Sequence, residues 1–276
     1  MMQQKHIVAK KSLGQHFLQD RDTIEKIVRS LDLNRQDVVL EIGCGTGALT
    51  RRLVENAKQY IGIELDTALF EGLEQSFGEP QAVFLNRDIL NVNLYQLQEE
   101  YLSSRGKFKV VGNIPYYISS PVLEHLARHN SVVDLAVIML QAEVADRVVA
   151  LPGTREYGVL TLMSQYYFQC EELFSVGRRA FRPAPKVLSK VVRLTPKTSR
   201  QLLSEQERPF FEFVKKSFSQ RRKTLRNCLK GSELEEENLQ AWLERLNYPP
   251  DVRAEKISLA DFLSFYLETH PGVRLS

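Results

Sequence analysis

The residues whose types and spacing could do chemistry sit where apolar runs end. Asn113-Ile114-Pro115-Tyr116 closes the run FKVVGN. An exocyclic amine on an aromatic base such as adenine is a poor nucleophile, because its lone pair is delocalised into the ring. Two acceptors, the side-chain oxygen of Asn113 and the backbone carbonyl of Ile114, could hold its hydrogens and favour a more tetrahedral nitrogen. Pro115 fixes the local backbone, and Tyr116 offers a face on which a splayed-out base can stack. Such chemistry needs positioning and electrostatics more than a general base of unusual pKa. The plainer reading is a strand-ending turn, with Asn and Pro as turn residues and Tyr as packing.

A second constellation runs from Val38 to Leu49, VVLEIGCGTGAL, an apolar run followed by Glu41 and by Gly43, Gly45 and Gly47 at alternate positions. It reads as strand, tight turn and helix, with the free N–H groups of the helix turned towards a ligand. Gly43, Gly45 and Ala48 fit the G-x-G-x-x-G/A fingerprint of a dinucleotide site, and Glu64, closing the next apolar run YIGIE, is placed for a ribose. An S-adenosylmethionine site fits the same glycines, so they do not choose between the two.

The elements that must carry these residues follow from periodicity. Ile24, Ile27, Val28 and Leu31 give an amphipathic helix capped by Asp20. Strand then alternates with helix: QYIGIE with 66–77, QAVFLNRD with 94–101, FKVVGN with 121–128, VVDLAVIML with 143–150. That alternation predicts a parallel sheet covered on both faces, whose ligands bind beyond the carboxyl ends of the strands. Glu41 to Gly47, Glu64, Asp88 and Asn113 all fall there. YGVLTLMSQYYF fits helix or strand, with helix favoured. ELFSV and VLSKVVRL predict an antiparallel pair at the sheet edge. Beyond it only helical patterns remain, at 205–218, 221–229, 234–246 and 259–267. The expected organisation is an α/β domain over 1–197, opening with a basic arm at 1–19, and a small all-helical domain over 198–276.

Composition narrows the function. A chain of 276 residues, 43% of them hydrophobic, can bury a substantial core, and no apolar run approaches a membrane span or a signal peptide. The cytoplasm is the expected compartment. Cys44, Cys170 and Cys228 are scattered and odd in number, which predicts reduced thiols. His125 and His129 share a helix face without a third ligand, so no metal site is expected. Net charge is only +3, but 173–204 holds eight Lys or Arg and 215–230 seven more, with no acid in either block. Such blocks are an electrostatic footprint for a polyanion. Arg178, Arg179, Arg182 and Lys186 would rim the cleft mouth, while Arg221, Arg222, Lys223 and Arg226 would meet phosphates from the helical domain.

Taken together, KKSLGQHFL, EIGCGTGALT, IGIELD, NRDIL, NIPYYISSP, QAEVADR, EYGVLT, FRPAPKVLSKVV, RRKTLRN and RAEKISLADF make the chain resemble the ribosomal RNA adenine N6-dimethyltransferases. Among these it is most similar to the bacterial members that dimethylate two adjacent adenosines near the 3′ end of 16S rRNA. The resemblance covers nearly the whole chain. It implies a Rossmann-like S-adenosylmethionine-dependent methyltransferase sheet with an all-α C-terminal domain, and a substrate within the 30S subunit. It also implies a part in 30S biogenesis; the chain is expected to act as a monomer. By the same resemblance His16, Leu18, Gly43, Gly45, Glu64, Asp88 and Asn113 would line the cofactor site. Glu64 can accept from ribose hydroxyls and Asp88 from the cofactor's adenine amine. Phe181 matches an aromatic held near the target base, opposite Tyr116. The pattern departs at Tyr117 and at His16, where Asn is the commoner residue. The alternatives are the related 23S rRNA methyltransferases of antibiotic resistance, a non-catalytic ribosome assembly factor, and a nicotinamide oxidoreductase. Retention of Glu64, Asp88 and the whole of NIPY argues against loss of activity.

Overall fold

The computed structural model describes residues 9–10, 13–78, 80–102, 106–231 and 236–269. Much of the predicted basic arm, at 1–8 and 11–12, lies outside them. The chain divides into two units, Met1–Ala145 with Phe168–Pro196, and Asp146–Tyr167 with Lys197–Ser276.

The first unit is built on five parallel strands: β2 (Val38–Ile42), β3 (Gln59–Glu64), β4 (Ala82–Asn86), β5 (Phe108–Asn113) and β6 (Val133–Gln141). Two antiparallel strands, β7 (Phe168–Val176) and β9 (Ser189–Pro196), extend one edge, giving the order β4-β3-β2-β5-β6-β9-β7. All five residues of β2 are buried, as a central strand covered on both faces requires. Chain order reverses between β2 and β5, which opens a crevice beyond their carboxyl ends. Helices α1 (Arg21–Ser30), α2 (Thr50–Asn56), α3 (Thr67–Ser76), α4 (Leu94–Tyr101) and α5 (Ser119–Arg128) belong to the same unit. Their starts are local chemistry: Asp20, Asp66 and Asn93 each accept a hydrogen bond from a first-turn N–H, a cap worth about 1 kcal/mol. A separate pair, β1 (Phe17–Leu18) with β8 (Phe181–Arg182), ties the end of the arm to the basic loop.

A single cut does not describe the chain, because 146–167 groups with the C-terminal helices. Helix α7 (Val159–Tyr167) buries Leu162, Met163, Tyr166 and Tyr167, and Tyr166 packs edge-on against Phe211 at 5.4 Å. Periodicity shows that a helix has an apolar face; it does not show which partner covers it. In the same unit lie α8 (Ser204–Ser217), α9 (Leu225–Leu229), α10 (Glu236–Arg245) and α11 (Leu259–Thr269), after α6 (Ala142–Val149), which crosses the division. Their core is aromatic: Phe210, Trp242, Phe262, Phe265 and Tyr266 are buried. The helix expected over 221–229 is shorter than its pattern. Thr224 caps it through a bond from the Asn227 N–H, which leaves Arg221, Arg222 and Lys223 in the preceding turn.

Candidate active site

A cleft opens at the strand ends of the first unit, with about 780 Å³ of open space including its solvent-facing mouth. It gathers residues from four consecutive parallel strands: Gly43 and Gly45 after β2, Glu64 at the end of β3, Asp88 after β4, and Asn113 to Tyr117 after β5. The arm closes one side with Leu13 to Phe17.

The glycine turn is not a phosphate cradle. Gly43 N–H donates to the Ile63 carbonyl (2.8 Å), Gly45 N–H to Glu64 Oε2 (2.8 Å) and Gly47 N–H to the Cys44 carbonyl (2.9 Å). Helix α2 begins only at Thr50, whose hydroxyl turns inward to Glu41 at 2.7 Å. These three glycine donors are spent within the protein and are not offered to a ligand. A pyrophosphate would lack those donors and would meet Glu64 and Asp88 instead. Two carboxyl groups lining the cleft suit a ligand with hydroxyls, an amine or positive charge. Gly47 has φ +80°, and a Cβ there would stand 2.9 Å from the Phe77 ring, so the turn has no room for another residue.

Under the turn, Glu41 is 1% exposed and accepts from Tyr60 Oη (2.6 Å) as well as Thr50. Burial, against these hydrogen bonds, raises its carboxyl from 4.5 to about 7. Burial and the neighbouring Glu41 push the Cys44 thiol well above its ordinary range, so Cys44 stays protonated and is no nucleophile. Glu64 is also raised by burial, opposed by the N–H groups of Asp66 and Gly45.

Asn113 is oriented by the arm. Its Nδ2 donates to the His16 carbonyl (3.0 Å), an acceptor only, which fixes the amide so that Oδ1, without a donor among the described residues, is left for a ligand. Ile114 N–H donates to the Met139 carbonyl (3.3 Å), fixing that peptide beside it. Pro115 leads into a 3-10 turn at Tyr116–Ile118. Tyr116 Oη and Ser189 Oγ are 3.0 Å apart, and the Tyr116 ring centroid is 5.7 Å from that of His16. The His16 ring donates from Nδ1 to the Pro183 carbonyl (2.7 Å).

Leu18 is buried and borders a small recess under the glycine turn with Gly43, Gly45 and Asn113. Phe181 departs from expectation. It is the register partner of Leu18, 5% exposed, and its ring packs into the hydrophobic core, not at the cleft mouth opposite Tyr116. Arg178, Arg179, Arg182 and Lys186 are exposed in the loop around β8, and Arg221, Arg222, Lys223 and Arg226 are exposed in the second unit. His125 and His129 face each other at 4.5 Å, and burial lowers His125 from 6.5 to about 4. Among the described residues no cluster of three His, Cys, Asp or Glu could hold a metal.

Sequence reasoning missed the arm's fastening. Lys10 Nζ reaches Asp66 Oδ1 at 2.7 Å and Gln15 Nε2 reaches Oδ2 at 3.0 Å, contacts more than 50 residues apart in sequence. It also missed Leu65 and Ile89, apolar neighbours of Glu64 and Asp88 that line the cleft. Their signal was available: each follows a strand-end carboxylate.

The family model for "Ribosomal RNA adenine dimethylase" matches residues 7–270. The chain is 41% identical over 260 residues to ribosomal RNA small subunit methyltransferase A of Francisella tularensis subsp. novicida, covering 93% of this chain and 95% of that one. Its fold is similar to a crystal structure of a dimethyladenosine transferase from Plasmodium falciparum, with TM-score 0.76 and 28% identity over 95% of this chain and 100% of that one. It is also similar to that of the 23S rRNA methyltransferase ErmE, with TM-score 0.71 and 26% identity over 92% and 99%.

Proposed function

The chain belongs to the ribosomal RNA adenine dimethylase family, and from that premise we propose that it dimethylates N6 of two adjacent adenosines near the 3′ end of 16S rRNA. Its substrate is the small ribosomal subunit, its methyl donor S-adenosylmethionine, its compartment the cytoplasm, and it contributes to 30S biogenesis as a monomer. The observation that carries this reading is the amide of Asn113, locked by the His16 carbonyl with its oxygen left for a ligand.

The cleft suits the donor. Glu64 and Asp88 provide acceptors at the ends of adjacent strands, Leu65 and Ile89 provide apolar walls, and neither carboxylate repels a cation. When bound, S-adenosylmethionine supplies a methyl group on positively charged sulfur. Asn113 Oδ1 and the Ile114 carbonyl hold the two hydrogens of the adenine amine and direct its lone pair into the cleft. Tyr116, fixed through Ser189, stacks on the extruded base. The arm, held by Asp66 and Asn113, limits the entry of water.

The basic residues bind RNA backbone. Replacing Arg221, Arg222 and Lys223 together by alanine should weaken 30S binding and flatten its dependence on the logarithm of salt concentration by roughly two to three. Affinity for S-adenosylmethionine should stay unchanged. Filter binding at several salt concentrations, beside calorimetry with the cofactor, reads both, and equal losses for the two ligands would refute the assignment.

The decisive experiment supplies labelled S-adenosylmethionine to the purified protein with unmethylated 30S or 50S subunits and identifies the modified nucleoside by mass spectrometry. Dimethyladenosine in 16S rRNA is the expected result. Label in 23S rRNA would move the protein to the resistance branch, and 30S binding without transfer would make it an assembly factor.

A further inference from the structure

Two large apolar side chains line the cleft and are nonetheless exposed, Leu65 at 46% and Tyr117 at 56%. Leu65 follows Glu64 and belongs to the wall already described. Tyr117 has no such account. Its phenol makes no hydrogen bond among the described residues, whereas the hydroxyl of Tyr116 is held by Ser189. Its ring is still placed: Cδ1 and Cε1 lie 3.5 and 3.7 Å from where a Cβ on Gly14 would stand, so the turn of the arm backs one side of it. More than half of the residue's surface faces solvent at the rim.

We propose that Tyr117 is the stacking platform for the nucleobase that neighbours the target adenine, and so a positioning residue of the dimethylation. The inference rests on the function proposed above. Tyr116 and Tyr117 occupy consecutive positions of a 3-10 turn, where side chains diverge by about a third of a turn. One ring can serve the bottom of the cleft while the next serves the rim. A base extruded to Asn113 carries its neighbours along the phosphodiester chain to that rim, where they have left the helical stack and need a new partner. The loop around β8 presents Arg178, Arg179, Arg182 and Lys186 for the phosphates. Stacking on an aromatic face tolerates any base. One platform can then serve both reactions on the adjacent pair, although the neighbour changes when the strand shifts by one nucleotide.

The test uses the full-length enzyme and 30S particles reconstituted with 16S rRNA carrying either the natural residue or an abasic residue beside the target. Y117A should raise KM for the natural particle roughly tenfold, with the loss in KM and not in kcat, and Y117F and Y117W should restore it. The abasic particle should raise the wild-type KM by a similar factor and leave that of Y117A where it was, because both changes remove one contact. Equal penalties for Y117A on the two particles would overturn the inference. So would a matching fall in S-adenosylmethionine affinity by calorimetry, which would place the ring on the cofactor. Absence of transfer by the wild type to the natural particle would overturn the proposed function, and this inference with it.

Discussion

Replacing Asn113 by alanine should lower kcat for methyl transfer by about 10²–10³-fold, the cost of removing one preorganised polar group from a site where charge develops. The expected loss lies in the chemical step, because the amide oxygen acts on the amine hydrogens as the nitrogen becomes tetrahedral. A smaller effect on cofactor binding should accompany it. Asn113 Nδ2 is a tie from β5 to the arm through the His16 carbonyl, but Lys10 and Gln15 hold the arm to Asp66 as well. N113D makes the sharper test. It keeps an acceptor facing the cleft but places a second carboxylate oxygen against the His16 carbonyl, where the structure needs a donor. Its kcat should fall at least as far as that of N113A. Single-turnover rates with saturating 30S, beside cofactor affinity by calorimetry, separate the two roles. Near wild-type turnover in N113D would show that the arm tie is dispensable, and near wild-type turnover in N113A would remove Asn113 from the chemistry.

Much of this site was legible because it is local. A strand that must be buried on both faces leaves its polar residues at its end, so Glu64 and Asn113 announce themselves by following YIGI and FKVVG. Helix starts at Asp20 and Asp66 were legible for the same reason, since a cap acts within its own turn. What failed to show was pairing at a distance. The dual hold of Lys10 and Gln15 on Asp66 joins segments with no shared period, and in the sequence Asp66 marked only the start of a helical segment. Phe181 was expected near the target base from the family resemblance, which does not report where this ring packs. Its register with Leu18 turns the ring into the core. The glycine turn was ambiguous in sequence because glycines report backbone freedom and not what the freed N–H groups bond. Glu64 takes the Gly45 N–H, so that donor is not offered to a phosphate. The 221–229 helix was overextended because apolar periodicity outweighed Thr224, a residue type that favours the cap position.

The largest expected effect on stability comes from Glu41. Burial raises its carboxyl from 4.5 to about 7, so the folded protein holds a proton there that the unfolded chain releases. Between pH 4.5 and about 7 the native state binds more protons than the unfolded one, and stability must fall as pH rises through that window. Below 4.5 both states are protonated, and above about 7 both are ionised and the loss is complete. The shift corresponds to about 3 kcal/mol. E41Q keeps an oxygen to accept from Tyr60 and Thr50 while removing the titration, so its urea midpoint should stay nearer level from pH 5 to pH 8. At pH 5 the two proteins should be of similar stability, and at pH 8 the variant should be the more stable. Glu64 is raised in the same sense and remains in E41Q, so the difference between the two curves, and not the slope of either, isolates Glu41. Parallel curves would mean that Glu41 is ionised in the folded protein throughout. If they diverge as expected, the network of Glu41, Thr50 and Tyr60 is a neutral hydrogen-bonded support for the glycine turn at acid pH, and an increasingly costly buried charge as the solution becomes alkaline.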